Sequence, residues 1–91
     1  MTASTSGEGA CERAFLLCHR HRPEECGSAH AAWRGFASPL RHHAAPSSCL
    51  LGGHAVWWRV EALDACAALA LLPAYVATRT EAIEVRDFIV P

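Results

Sequence analysis

The sequence predicts an α+β domain with the element order β-α-β-β-α-β, in which a four-stranded antiparallel sheet carries two helices on one face. Three observations predict it. Alternating runs at 13–21 and 80–90 read as a first and a last strand. Residues 47–51 and 54–62 flank Gly52-Gly53, a favourable two-residue turn between paired strands. Helical spacing follows Pro23 and Asp64, which puts one helix after the first strand and another after the hairpin.

In the first strand, Phe15, Leu17, His19 and His21 point one way and Leu16, Cys18 and Arg20 the other. Pro23 suits a first helical position, where an N–H has no intrahelical partner, and Glu24 and Glu25 sit at the positive end of the helix dipole. The buried stripe of this helix is Cys26, Ala29, His30, Trp33 and Phe36. Gly27 weakens the helix by about 1 kcal/mol relative to Ala, and Gly35 with Ser38-Pro39 ends it. Residues 38–47 read as a loop with His42-His43 at its middle.

In the hairpin, Leu51 faces His54 and Cys49 faces Val56. Val56, Trp58 and Val60 form one face, and Trp57, Arg59 and Glu61 the other. Asp64 caps the second helix, whose apolar side includes Ala67, Leu69, Leu71 and Leu72. Pro73 breaks or restarts that helix before a last turn at Tyr75-Val76. The final strand sets Ile83, Val85 and Ile89 against Glu84, Arg86 and Phe88. The expected core is Trp58, Val60, Leu17 or Phe15, Trp33 and Leu69. This order of elements is the ferredoxin-like pattern.

The chain has 91 residues, enough for one domain over 13–91 behind a small polar tail, 1–12, that reads as disordered. A domain of this size buries only about 60% of its unfolded surface. Yet 52% of its residues are hydrophobic, above the usual range of about 45–50%. The surplus, and an apolar sheet face left uncovered by helices, point to a homodimer through the sheets. The net charge is −1 and the arginines are scattered, so there is no nucleic-acid footprint. Five cysteines without a CxxC pair do not make a disulfide framework or zinc ribbon, and read as reduced thiols of a cytoplasmic protein. The polar N-terminus lacks a signal-peptide apolar core, and the apolar stretch 65–78 is interrupted by Pro73 and too short to span a bilayer. No membrane partner is expected.

Over roughly residues 13–91 the chain resembles a small member of the dimeric α+β barrel superfamily. GGHAVWWRVEALDACAALALLPAYV resembles the hairpin-then-helix half of several small families of that group, and RTEAIEVRDFIV resembles their closing strand. One branch binds nickel; others include muconolactone isomerase-like enzymes and cofactor-free monooxygenases. The resemblance implies a fold and a dimer. It carries over no catalytic set residue by residue, and fold alone does not give function.

The residues with chemical potential gather at the first strand-to-helix junction. His19 and His21, two apart on a strand, share a face; Cys26 and His30, four apart on a helix, share another. If the helix packs on the side of Phe15 and Leu17, these four nitrogen and sulfur donors converge on a borderline ion such as zinc or nickel. Otherwise His19 and His21 are solvated strand-end residues, and Cys26 and His30 packed core. His54 either caps the Gly-Gly turn or supplies a distal ligand. Trp57 and Arg59 are candidates for the wall of a small-ligand pocket, or Trp57 serves dimer packing. The expected function is a non-catalytic, ligand-binding homodimer holding a transition metal. The alternative is a small-molecule enzyme of the isomerase or monooxygenase kind. There His19 or His21 would act as general base, oriented by Asp87 or Glu61.

Overall fold

β1, Arg13–Arg20, is the middle strand of a three-stranded antiparallel sheet. The computed structural model describes residues 12–91, so the expected tail, Glu12 apart, lies outside the described residues. After β1 the chain makes a 3-10 turn, Pro23–Glu25, that runs into α1, Cys26–Ala31. A second 3-10 turn, Cys49–Leu51, precedes β2, Ala55–Ala62. Then follow α2, Ala65–Leu69, α3, Ala74–Ala77, and β3, Thr80–Val85. The strand order is β2-β1-β3. Both outer strands are antiparallel to β1, hence parallel to each other, and parallel strands need a crossover. Residues 63–79, carrying α2 and α3, supply it.

The expected four-stranded ferredoxin-like sheet does not form, because residues 47–51 are not a strand. Beside β2 stands only an isolated bridge, Ser47 to Val56. The Ser48 N–H donates to the Ala55 carbonyl at 2.8 Å, and Trp57 N–H to the Pro46 carbonyl at 3.0 Å. The ladder stops there because Pro46 has no N–H to give. On the other side the serine side chains take over. Ser47 Oγ accepts from Cys49 N–H and Ser48 Oγ from Ala55 N–H, each at 3.1 Å. Such local bonds offer the backbone an alternative to a ladder. Leu50 and Leu51, left fully or nearly fully exposed, gain nothing from the sheet. Without the fourth strand this is not the sheet of a dimeric α+β barrel.

The helices are shorter than the sequence suggests. α1 stops at Ala31, and Gly35, at φ 74°, turns the chain away. Asp64 caps α2 as its side chain accepts from Ala67 N–H at 2.8 Å. Pro73 ends that helical stretch and opens α3. β3 ends at Val85, and Phe88, Ile89 and Val90 beyond it are exposed. Among the described residues no helix is long and apolar enough to cross a membrane.

The core lies between the sheet and the crossover. Phe15, Leu17, Val60 and Ala62 meet Ala68, Leu72 and Val76 there, all buried. Trp33, Trp58 and Leu69, expected in the core, are only partly buried against it. The alternation in β1 is as expected: Phe15, Leu17 and His19 are buried, while Leu16 and Cys18 on the opposite face are half-buried. Leu17 has no exposed surface, so Leu17→Ala should destabilise the domain by about 2–5 kcal/mol in urea unfolding. Leu50→Ala should stay within about 0.5 kcal/mol of the parent. Equal effects would mean that the inward row of β1 is wrongly assigned.

Candidate metal centre

At the end of β1 the inward row becomes polar. His19 is 2% exposed, and a buried imidazole must have its ring nitrogens satisfied. Its Nδ1 lies 3.3 Å from the Val76 carbonyl oxygen and 3.1 Å from Thr80 Oγ1. The Thr80 hydroxyl itself donates to Val76 O at 2.6 Å. Both neighbours of Nδ1 are therefore acceptors, and Nδ1 must carry a proton. Burial, and then the neighbouring His21, lower the His19 pKa below the ordinary histidine value, which keeps the ring neutral. A neutral ring protonated at Nδ1 has its lone pair at Nε2. That atom sits 2.8 Å from His21 Nδ1, which is thus the donor of the pair. His21 is left with its own lone pair on Nε2, 3.7 Å from Cys49 Sγ. Burial, then His54, lower the His21 pKa as well.

Three segments meet here. The strand end is tied to the next loop by His21 N–H donating to His54 O at 3.1 Å. Cys26 stands at the start of α1, directly behind Glu25. The Glu25 carboxylate accepts from Arg22 N–H at 2.9 Å and from the Arg79 guanidinium at 3.1 Å. These contacts, the Arg22 N–H first, hold its carboxyl down to about 2. They also pin the start of α1 to the end of the crossover.

The third segment is the turn before β2. Ser48 O accepts from Leu51 N–H at 2.9 Å and from Gly53 N–H at 2.8 Å, which folds residues 49–54 into a tight loop. Gly52, at φ 89°, takes the left-handed conformation, and a Cβ on Gly53 would collide with the Ser48 side chain. His54 adopts φ 53°, uncommon for a residue with a side chain though more frequent for histidine than for most. The loop thereby sets Cys49 and His54 side by side at its base.

The outcome is a Cys₂His₂ group. One donor atom from each of His21, Cys26, Cys49 and His54 lies within 4.8 Å of every other. A tetrahedral zinc ion, with Zn–S of about 2.3 Å and Zn–N of about 2.0–2.1 Å, needs donors about 3.3–3.8 Å apart. The longest separations need only close by about 1 Å to match that. His54 Nδ1 is buried with no hydrogen-bond partner among the described residues. A bound cation is a partner that this residue can take.

Of the four ligands expected from sequence, the structure brings His21 and Cys26 together and leaves two outside. His19 sits behind His21 and orients it. His30 is exposed on α1 and borders the cleft beside the group. Trp57 and Arg59 lie on the opposite sheet face, where Arg59 pairs with Asp87 at 3.2 Å, and neither borders that cleft. Cys49 was expected to face Val56, and His54 only to cap the turn or act as a distal ligand. A spacing signal was present: His21 to Cys26 and Cys49 to His54 are both steps of five residues. Two short-spaced donor pairs separated by a long loop are a common layout of zinc sites.

No family model, no curated protein and no solved structure matches this chain. The resemblance of the sequence to the dimeric α+β barrel superfamily is thus without a matching relative.

Residues that orient a metal-ligating histidine typically change affinity by 10–100-fold when removed. His19→Leu should weaken zinc binding by about that factor. His19→Gln can still donate to Thr80 and accept from His21, and should recover much of the loss. Nitrogen NMR of the metal-free protein should find His21 protonated at Nδ1. Equal affinities for the two variants, or a His21 protonated at Nε2, would remove His19 from this role.

Proposed function

We propose that this chain binds one transition-metal ion, zinc in the first place, through His21, Cys26, Cys49 and His54. The observation that carries the reading is the mutual approach of four donors, two sulfurs and two imidazole nitrogens, within 4.8 Å. Two cysteines and two neutral imidazoles suit zinc and disfavour magnesium or calcium, which prefer oxygen. Nickel is compatible with the donor types, but the compact four-way arrangement suits an ion with no preference for a square plane. Four protein ligands make the centre a structural one, joining the end of β1, the start of α1 and the loop before β2. In this reading neither base of the enzymatic alternative is free, since both ring nitrogens of His19 are hydrogen-bonded and His21 is a ligand.

Such an ion would supplement a thin core. Ala29, Ala55, Ala62 and Ala68 are among its buried residues, and alanine contributes little area. Metal bound only by the folded state adds about 2.7 kcal/mol of stability at 100 times its Kd. Elemental analysis of untagged protein should find one zinc per chain. Cobalt(II) should give the visible bands of a tetrahedral ion with thiolate charge transfer. Cys26→Ser and Cys49→Ser should each lower affinity by at least about 100-fold, the upper end of the loss for a mere orienting residue. A featureless cobalt titration, or serine variants that bind as tightly as the parent, would end this reading.

The sheet face away from the helices supports a second element, self-association. Leu16, Trp57 and Val85 lie half-buried on it and Ile83 is exposed, with Phe88, Ile89 and Val90 exposed on the segment that follows β3. A homodimer through this face would cover them. Sedimentation at concentrations on the order of 10 µM, ordinary for a modest dimer, should give twice the chain mass. A monomer there would count against it, as would an Ile83→Glu variant that still dimerises.

A further inference from the structure

Two clefts flank the contact between Trp33 and Trp58, whose ring centroids are 5.8 Å apart. The first, of about 610 Å³, has His21, Cys26 and Cys49 at one end and the apolar side chains of Val56 and Val76 along its wall. The second, of about 560 Å³, is bordered by the same two tryptophans and by Arg34, Arg41, His42 and His43. His30, Trp33, Arg34 and Trp58 border both, so the two are neighbouring parts of one depression. Each falls in the usual size range for small-molecule sites, about 300–1,000 Å³.

The charge around this depression has one sign. No aspartate or glutamate borders either cleft. Arg13, Arg22, Arg59 and Arg79 have carboxylate partners, whereas Arg20, Arg34, Arg41 and Arg86 have none among the described residues, and of these four Arg34 and Arg41 border the depression. Arg41 instead donates to the Phe36 carbonyl at 3.4 Å, which ties the loop that carries Arg41, His42 and His43 back to the residues after α1. His42 is held at φ 67°, outside the range most side chains adopt.

We propose that this depression binds a small aromatic anion, its ring against Trp33 and Trp58 and its carboxylate or phosphate on Arg34 and Arg41. The half-buried indoles, inclined at 52° to one another, offer apolar ring surface against which an aromatic ring gains area and stacking. Guanidinium groups with no carboxylate partner keep N–H donors that can form paired hydrogen bonds with a planar carboxylate or a phosphate. A neutral ligand would use the first feature and ignore the second. A simple inorganic anion would do the reverse. The site needs no metal, although a ligand lying here would occupy the cleft that leads to the Cys₂His₂ group.

The test compares four probes on the full chain at low ionic strength, where exposed charges are least screened. They are 2-naphthoate, 2-naphthyl phosphate, 2-naphthalenemethanol and acetate, followed by calorimetry and by the tryptophan indole N–H signals. At least one naphthyl anion should bind about ten-fold or more tightly than the alcohol, as expected for charge-assisted hydrogen bonds. Its rank against the other distinguishes carboxylate from phosphate. Acetate should not compete at equal concentration. The double variant Arg34→Gln, Arg41→Gln, checked for an unchanged melting curve, should lose the preference for the anions. Equal binding of alcohol and anions, a preference that survives the double variant, or no binding of any naphthyl probe would overturn the proposal. Running each titration on zinc-loaded and chelator-treated protein keeps it separate from the metal reading. Naphthoate can bind where zinc does not, and zinc can bind where naphthoate does not.

Discussion

Alternate side chains of a strand must point the same way, and in β1 that constraint decides the molecule. The inward row begins Phe15, Leu17, both buried among apolar neighbours, and continues with His19. The register leaves no choice: turning His19 outward would turn Leu17 outward too. A polar ring forced inside must be satisfied on both nitrogens, or it costs about 1–3 kcal/mol. The fold meets this on one side with Val76 O and Thr80 Oγ1, at the junction of the crossover and β3, and on the other with His21. The same row therefore passes from core to donor group, and the protonation of one histidine fixes that of the next.

The elements around this row are individually weak. α1, α2 and α3 are each a turn or two long, below the length at which a helix holds itself together in water. What positions them is tertiary. Glu25 joins the start of α1 to Arg79, Arg20 N–H donates to Arg79 O at 3.1 Å, and His21 N–H donates to His54 O at 3.1 Å. All three bonds converge on the polar end of the sheet, next to the four donors. The apolar end has the larger buried side chains, Phe15 and Leu17, and needs no such fastening.

Much of this was legible in the sequence, for reasons that differ by element. The faces of β1 and β2 follow from period two, and burial on the Phe15 side agrees with it. Asp64 and Pro73 act through local chemistry and do what that chemistry predicts. The strand expected at 47–51 was not legible because Ser47 and Ser48 spend their side chains on the backbone, and Pro46 cannot extend a ladder. That one change lengthened the turn from Gly52-Gly53 to residues 49–54 and moved Cys49 from a sheet position to the donor group. His30 failed for a different reason. Four residues along a helix is a rise of about 6 Å, enough to carry it away from the junction that holds Cys26. Periodicity reports which face a residue is on. It does not report how far along the element the chemistry lies.

The shortness of α1 also explains the surface beside the donors. By register Trp58 lies on the inward face, opposite Leu17, where a longer first helix would cover it. Gly35 turns the chain before that happens, and Trp33 folds back to meet Trp58 instead. Phe36 packs on Trp33 edge-on, with ring centroids 6.3 Å apart, and His19 lies against Trp58 at 6.4 Å, so the aromatic contact is held at both ends. The other flanks stay open, and the loop of residues 38–47 brings Arg41, His42 and His43 to one of them. The feature that leaves the predicted core incomplete is thus the one that leaves an apolar, basic-rimmed surface next to a group of metal donors. In a larger domain those indoles would be filler; here they are the floor of a site.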